Sequence, residues 1–416
     1  MSAQDVIETL ALVLAAGVVS ELLAGVLRLP RMVILLGAGV LLGPEVVDAL
    51  DLPLDSVGVQ LLLTLGVSFI LFHGGLGLSV SVLRPVALGL GLLAVPGVVV
   101  TALVTGSVAA LAFDVPIEVG LLIGAVLAPT DPAILIPLFE RLRVRAKVTQ
   151  TIVAESALND VTGAVLALSL AGFVVEGGGS LASPLGEFLV DLLLSTGIGT
   201  AFGLALAFAL STRRLGIWRE SPVIAVLLVV AASYFTIDYA GGSGYLGAFL
   251  AGFIVSNMDE LGLGMRSPRE QELRSFARAA ADVTVIFLFI TLGANLPFDT
   301  IPDEALPALA TLAALIFLAR PLTVLVCLLP DRRGGWRREE LVFLAWTRET
   351  GVVPAALVGL LVAQGVRQEA ELVTVVALAV VVTLLVQATT KPWLARRLGL
   401  LRKPEPVAEE PHAGGG

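Results

Sequence analysis

Apolar residues in this chain run in long unbroken stretches, separated by short turns rich in Arg, Asp, Gly and Pro. Runs of this kind read as helices with apolar surroundings on every side. Hydropathy and helix breakers divide them into about thirteen segments. These cover residues 5–27, 32–47, 57–78, 85–112, 117–140, 147–175, 186–211, 221–239, 243–257, 277–296, 304–329, 339–364 and 371–392. The predicted fold class is an all-α polytopic membrane protein. Residues 1–395 form its transmembrane unit, and residues 396–416, polar and rich in Pro and Gly, form a short disordered tail.

Composition narrows the function classes. The 416 residues are 57% hydrophobic and 15% charged, with a mean hydropathy of +0.96. Crossings of roughly 20 residues each use nearly the whole length and leave no space for a sizeable soluble domain. The single cysteine, Cys327, excludes an intrachain disulfide and a thiolate metal cluster, and His73 and His412 are too few for a polyhistidine site. No Gly-x-x-x-x-Gly-Lys loop is present, so no nucleotide cofactor and no nucleic-acid partner are expected.

The net charge of −9 has to be read loop by loop. Alternate connections hold all Lys and Arg except Arg320, Arg348 and Arg367, while the opposite loops hold Asp48, Asp51, Asp114, Glu118, Asp299 and Asp303. The positive-inside rule then places the basic loops in the cytoplasm. An odd number of crossings puts the N-terminus outside, the C-terminus inside and the chain in the cell membrane. Asp5 and Glu8 stand at the start of the first segment, unlike the basic flank of a cleaved signal.

Ionisable groups inside apolar segments are costly unless paired or hydrated, and each is a functional candidate. They are His73, Asp131, Glu155, Asp160, Asp282, Arg320, Arg348 and Glu349. Pro129 and Pro132 flank Thr130 and Asp131; each lacks an N–H, so the helix should break and leave carbonyls facing a cavity. The plainer reading is a kink with Asp131 as a cap. Glu155, Ser156, Asn159 and Asp160 cluster on one sector of the sixth segment. A desolvated Asp160 can exchange a proton for a cation, or serve as a structural carboxylate; Glu155 reads best as one partner of a buried ion pair with an arginine. Gly351 and Pro354 interrupt the twelfth segment after Thr347, Arg348, Glu349 and Thr350. The two interrupted segments hold the same place in two sets of six, the pattern of an inverted repeat whose breaks cross near the midplane. Asp238 and Asp282 are read as structural.

Ala128-Pro129-Thr130-Asp131-Pro132, Glu155-Ser156-x-x-Asn159-Asp160 and Ala319-Arg320-Pro321 together resemble the monovalent cation:proton antiporter family, in its NhaP-type sodium/proton branch. The resemblance covers essentially residues 1–395. It implies a thirteen-helix homodimer with a dimerisation part and a moving core, interleaved in sequence. It further implies that Asp160 binds cation and proton alternately. Ser156 and the carbonyl of Thr130 complete the alkali-cation shell, Asp131 and Asn159 support it, and Glu155 pairs with Arg320. Asn159, where the electrogenic branch carries a second Asp, implies electroneutral one-for-one exchange, with Na⁺ the first expectation and K⁺ or Li⁺ open. The roles implied are pH and sodium homeostasis in a prokaryote, with no cofactor beyond the transported ions and no enzymatic activity.

The chain departs from the family pattern at two places. His73, in Phe72-His73-Gly74-Gly75, stands where relatives carry Glu, which removes one oxygen ligand; it is either a pH-sensitive group near the cation path or a neutral, hydrogen-bonded structural residue. Arg348 keeps its family position, but Glu349 comes directly after it and is placed to neutralise it. A sodium-coupled organic-anion carrier of similar inverted-repeat fold is the alternative reading, although the interrupted segments are small and aliphatic. An aspartyl dyad of Asp131 and Asp160 lacks the Gly-x-Gly-Asp motif of intramembrane proteases, and a channel lacks a repeated Gly-rich filter loop.

Overall fold

The computed structural model describes residues 3–131, 144–177, 182–212, 216–218 and 220–401. Among them, nine helices are long and apolar enough to cross a membrane, and four shorter apolar helices accompany them, Arg31–Leu42, Ile117–Val126, Gly244–Ser256 and Val352–Ala363. The only strand-like feature among the described residues is an isolated antiparallel bridge between Val144 and Leu401. Such all-helical architecture reflects the solvent: each backbone N–H and C=O must be satisfied within its own segment in hydrocarbon.

Helices pack in two neighbourhoods. In one, Val57–Leu76 lies against Gly244–Ser256 and Ser267–Ala294, and Ser267–Ala294 lies against Arg31–Leu42. Small residues permit this closeness: Gly252 sits on the carbonyl of Phe72, and Gly39 and Gly293 face each other across their helices. In the other, Pro96–Ala112 packs on Ile117–Val126 and Ile301–Ala314, while Ala146–Val175 packs on Ile117–Val126. Here Gly106, Gly120 and Gly124 bring the backbones together.

Several boundaries move relative to the hydropathy reading. The second helix stops at Leu42, and the chain turns back through Asp48 at positive φ. The helix read as 277–296 starts at Ser267, a polar turn that hydropathy discards. Two long rods contain π turns. The Ile301–Leu328 rod widens at Leu315–Ala319, immediately before Arg320 and Pro321; Pro321 has no N–H to continue the α ladder. The Glu369–Arg397 rod widens at Thr383–Gln387.

Both predicted interruptions have a visible first half. Ile117–Val126 ends before Pro129. The second half expected of that element, residues 132–140, lies outside the described residues, as does the tail beyond Leu401. The other interrupted element runs as Arg338–Trp346, an unwound stretch, then Val352–Ala363. Pro354 falls in the first turn of the second half, where its missing N–H would have had no partner.

Candidate functional site

The two breaks touch. The Asp131 N–H donates to the Glu349 carbonyl at 3.0 Å. A Cβ on Gly351 would collide with the Asp131 carboxyl group, so only glycine fits at the contact. Gly163 in turn faces the ring of Pro129. Buried Ile123, Ala128, Ala164 and Ala356 surround the crossing, so polar groups there must find partners in the protein.

Thr130 is the hub of the first break. Its N–H donates to Asn159 Oδ1 at 3.1 Å, and Asn159 Nδ2 donates to its Oγ1 at 2.9 Å. Its carbonyl accepts from the Ser156 hydroxyl. Ser156 and Thr130, expected to share a cation shell, are thus hydrogen-bonded to one another, and a cation would have to take up that bond's oxygens. Asp160, one residue beyond Asn159, is half-buried, and its Oδ1 has no hydrogen-bond partner among the described residues. A cavity of about 10 Å³ beside the crossing is lined by Thr130, Asp131, Glu155, Ser156, Arg320 and Arg348 among others, and Asp160 is not among its lining residues. That is room for one water or one small dehydrated ion.

Glu155 borders the same cavity and pairs with Arg320. Both Nη atoms of Arg320 donate to the two carboxylate oxygens, the Nη2 bond at 2.9 Å, and Nε donates to the Leu344 carbonyl at 3.0 Å. Both residues are 2% exposed. A bidentate pair of this kind is the strongest geometry for holding two charges away from water.

Arg348 and Glu349 correct the expectation that they neutralise each other. Nη2 of Arg348 donates to the carbonyls of Leu127 at 2.6 Å and Ala128 at 2.8 Å. These are orphan acceptors at the end of the Ile117–Val126 half-helix, whose negative dipole end favours a cation. Glu349 instead forms an ion pair with Lys391. Lys391, which the charge pattern of the sequence assigns to a cytoplasmic connection, is fully buried within the Ala388–Arg397 helix. Thr383, Gln387 and Lys391 recur every four residues on one face of that rod, and this spacing was the available sign of their shared role.

His73 lies apart from the crossing. It lines an open cleft of about 420 Å³ with Glu270, Arg274 and Arg278, where Arg274 donates to Glu270 at 2.9 Å and to the Leu76 carbonyl at 2.7 Å. Its Nδ1 is buried without a hydrogen-bond partner among the described residues. Asp282 and Asp238 are exposed. No cluster of three His, Cys, Asp or Glu side chains suited to a metal ion occurs among the described residues.

Two helix breaks that meet at polar groups inside a bundle of apolar helices form the arrangement that secondary transporters use for their ion sites. Residues 10–397 match the transmembrane sodium/hydrogen exchanger family, and the chain belongs to it. It is 29% identical over 386 residues to the K(+)/H(+) antiporter NhaP of Alkalimonas amylolytica, covering 92% of this chain and 65% of that protein. The chain thus spans slightly less than two thirds of that relative. It is 28% identical over 360 residues to Na(+)/H(+) antiporter 1 of Methanocaldococcus jannaschii, covering 84% and 81% of the two chains. Its fold matches the structure of the sodium proton antiporter MjNhaP1 from that organism at pH 8 with a TM-score of 0.78 and 24% identity, over 95% of this chain and 97% of that one.

Proposed function

We propose that this chain exchanges one monovalent alkali cation for one proton across the cell membrane, by alternating access and without net charge movement. The charge balance around the crossing carries the reading. Arg320, Arg348 and Lys391 stand against Glu155 and Glu349, with Asp131 against the Glu349 carbonyl and Asp160 close to Asp131. With every group ionised the set holds one excess negative charge. One proton or one alkali cation at Asp160 neutralises it; neither leaves it negative and both leave it positive. An unbalanced charge inside the membrane costs several kcal/mol, so only the singly loaded carrier reorients. Competition for one carboxylate then enforces coupling.

In this reading Asp160 is the exchanging group, and Ser156 and the Thr130 carbonyl part to receive the cation. Asn159 and Asp131 hold Thr130 in place, and Glu155 with Arg320 anchors their helix. The helices grouped with Ala146–Val175 form the moving core, and those grouped with Ser267–Ala294 form the scaffold of a homodimer. The basic loops face the cytoplasm with the C-terminus, the N-terminus faces outside, and no cofactor takes part. The relatives' names include both K(+)/H(+) and Na(+)/H(+) antiporters, so selectivity is read from the cation series in the test.

The test is proton movement in liposomes with a trapped pH dye, driven by Na⁺, K⁺ or Li⁺, with the membrane potential clamped or free. Wild type should exchange irrespective of potential, and Asp160→Asn should not exchange at all. The cation KM should rise about tenfold per unit of pH below the titration of the site, because proton and cation compete. Exchange surviving in Asp160→Asn would sink the assignment.

A further inference from the structure

The contacts of the unwound stretch Thr347–Gly351 point to a function for Lys391. Four bonds tie this stretch and Trp346 to one face of the last rod. Thr350 N–H donates to Thr383 Oγ1 at 3.0 Å, and Gln387 Nε2 donates to the Trp346 carbonyl at 2.9 Å. Trp346 Nε1 donates to Thr390 Oγ1 at 2.9 Å, and Glu349 pairs with Lys391. Only the last bond joins two full charges, and both are sealed from solvent, Lys391 at 0% and Glu349 at 1% exposure. A buried ammonium is costly unless its partner is held in place.

The same stretch faces the opposite way with its other groups. The main-chain carbonyl of Glu349 receives the Asp131 N–H, while the Arg348 side chain reaches the carbonyls of Leu127 and Ala128. In extended chain, neighbouring side chains point in opposite directions. Holding Glu349 against the last rod therefore turns Arg348 toward the first break and fixes the height of the carbonyl that Asp131 uses.

We propose that Lys391 is a positioning residue for transport: through its ion pair with Glu349 it sets the register of the unwound stretch, and with it the places of Asp131 and Arg348 at the crossing. The inference rests on the exchange reading, and Lys391 itself touches no transported ion. A slip of the stretch misplaces Asp131 and Arg348 at the crossing while leaving the helices intact.

The experiment measures the apparent cation KM and the maximal rate in liposomes, with thermal midpoints of the purified full chain, for wild type, Lys391→Met, Lys391→Arg and the double variant Glu349→Gln/Lys391→Met. Lys391→Met should raise KM at least tenfold and, by leaving the Glu349 charge unbalanced, lower the maximal rate as well, whereas Lys391→Arg keeps the positive charge that pairs with Glu349 and should restore KM to within about threefold. The double variant removes both buried charges, so its midpoint should return to the wild-type value while KM stays raised. A double variant with wild-type midpoint and wild-type KM overturns the proposal, because the pair would then serve stability alone. Should Lys391→Met fail to fold, the double variant still decides. Wild type without cation-driven proton movement would instead overturn the exchange reading.

Discussion

Replacing Glu155 by Gln tests whether the Arg320 pair is structural in the way its geometry implies. The substitution preserves shape and one hydrogen-bond acceptor while deleting the charge. Arg320 would then be a guanidinium at 2% exposure facing a neutral amide oxygen and the Leu344 carbonyl. Breaking a buried pair by neutralising one partner costs about 3–5 kcal/mol, and the retained acceptor places this case near 3 kcal/mol. For a bundle larger than the usual single domain, about 3 kcal/mol corresponds to a fall of about 5 °C in thermal midpoint. The assay is the melting of detergent-purified protein monitored by fluorescence size-exclusion chromatography. The companion variant, Glu155→Leu with Arg320→Met, removes both charges and keeps the volume, and should melt within about 2 °C of wild type. Two outcomes would refute the reasoning: Glu155→Gln melting with wild type, or the apolar pair falling as far as the single variant. Either would mean that water or another group already compensates Arg320.

Gly351→Ala places a methyl on the Asp131 carboxyl, an overpacking worth about 1–3 kcal/mol; exchange should fall at least tenfold, while Gly37→Ala, where nothing lies within 4 Å, should exchange like wild type. Arg348→Met strips the Leu127 and Ala128 carbonyls of their donor, at about 1.5–3 kcal/mol for each charge-assisted bond. Its melting midpoint should fall at least as far as that of Glu155→Gln, and an unchanged midpoint would mean that these carbonyls find other donors.

The site is legible in the sequence wherever it violates its apolar background. Asp131, Glu155, Asp160, Arg320 and Arg348 are conspicuous because hydrocarbon makes their presence expensive, and the prolines around Asp131 and Gly351 mark the breaks by backbone chemistry alone. Lys391 escapes the same reasoning because it lies near the end of its segment, where a basic residue is the ordinary topological anchor. Its four-residue spacing from Gln387 and Thr383 is the one sign in the sequence, and the path of the last rod shows that this face is buried. The π turn before Arg320 is likewise hidden, since a widened turn leaves hydropathy unchanged. His73 is legible as a departure from the family pattern, but its surroundings are not. The residues beside it, Arg274 and Arg278, come from a helix whose first turns hydropathy assigns to a loop.

The buried charges arise one from another once the helices are broken. Interrupting Ile117–Val126 at Pro129 leaves carbonyls that hydrocarbon cannot solvate, and Arg348 supplies the donors. Arg348 can reach them only if its own segment is unwound, which exposes the Thr350 N–H and the Trp346 carbonyl in turn, met by Thr383 and Gln387. Unwinding also frees the Glu349 carbonyl for Asp131 and directs the Glu349 side chain outward, where Lys391 makes it tolerable. Each step satisfies a backbone group and introduces a side-chain charge that demands a partner. Glu155, Glu349, Arg320 and Lys391 meet that demand in pairs, and Arg348 meets it with backbone dipoles. Asp160 has no basic partner among the described residues: the Thr130 backbone hydrogen-bonds its carboxyl group, and its Oδ1 has no hydrogen-bond partner among them. In the exchange reading proposed above, this carboxylate is the one that a proton or an alkali ion completes in turn, with Asp131 beside it adding to the negative charge.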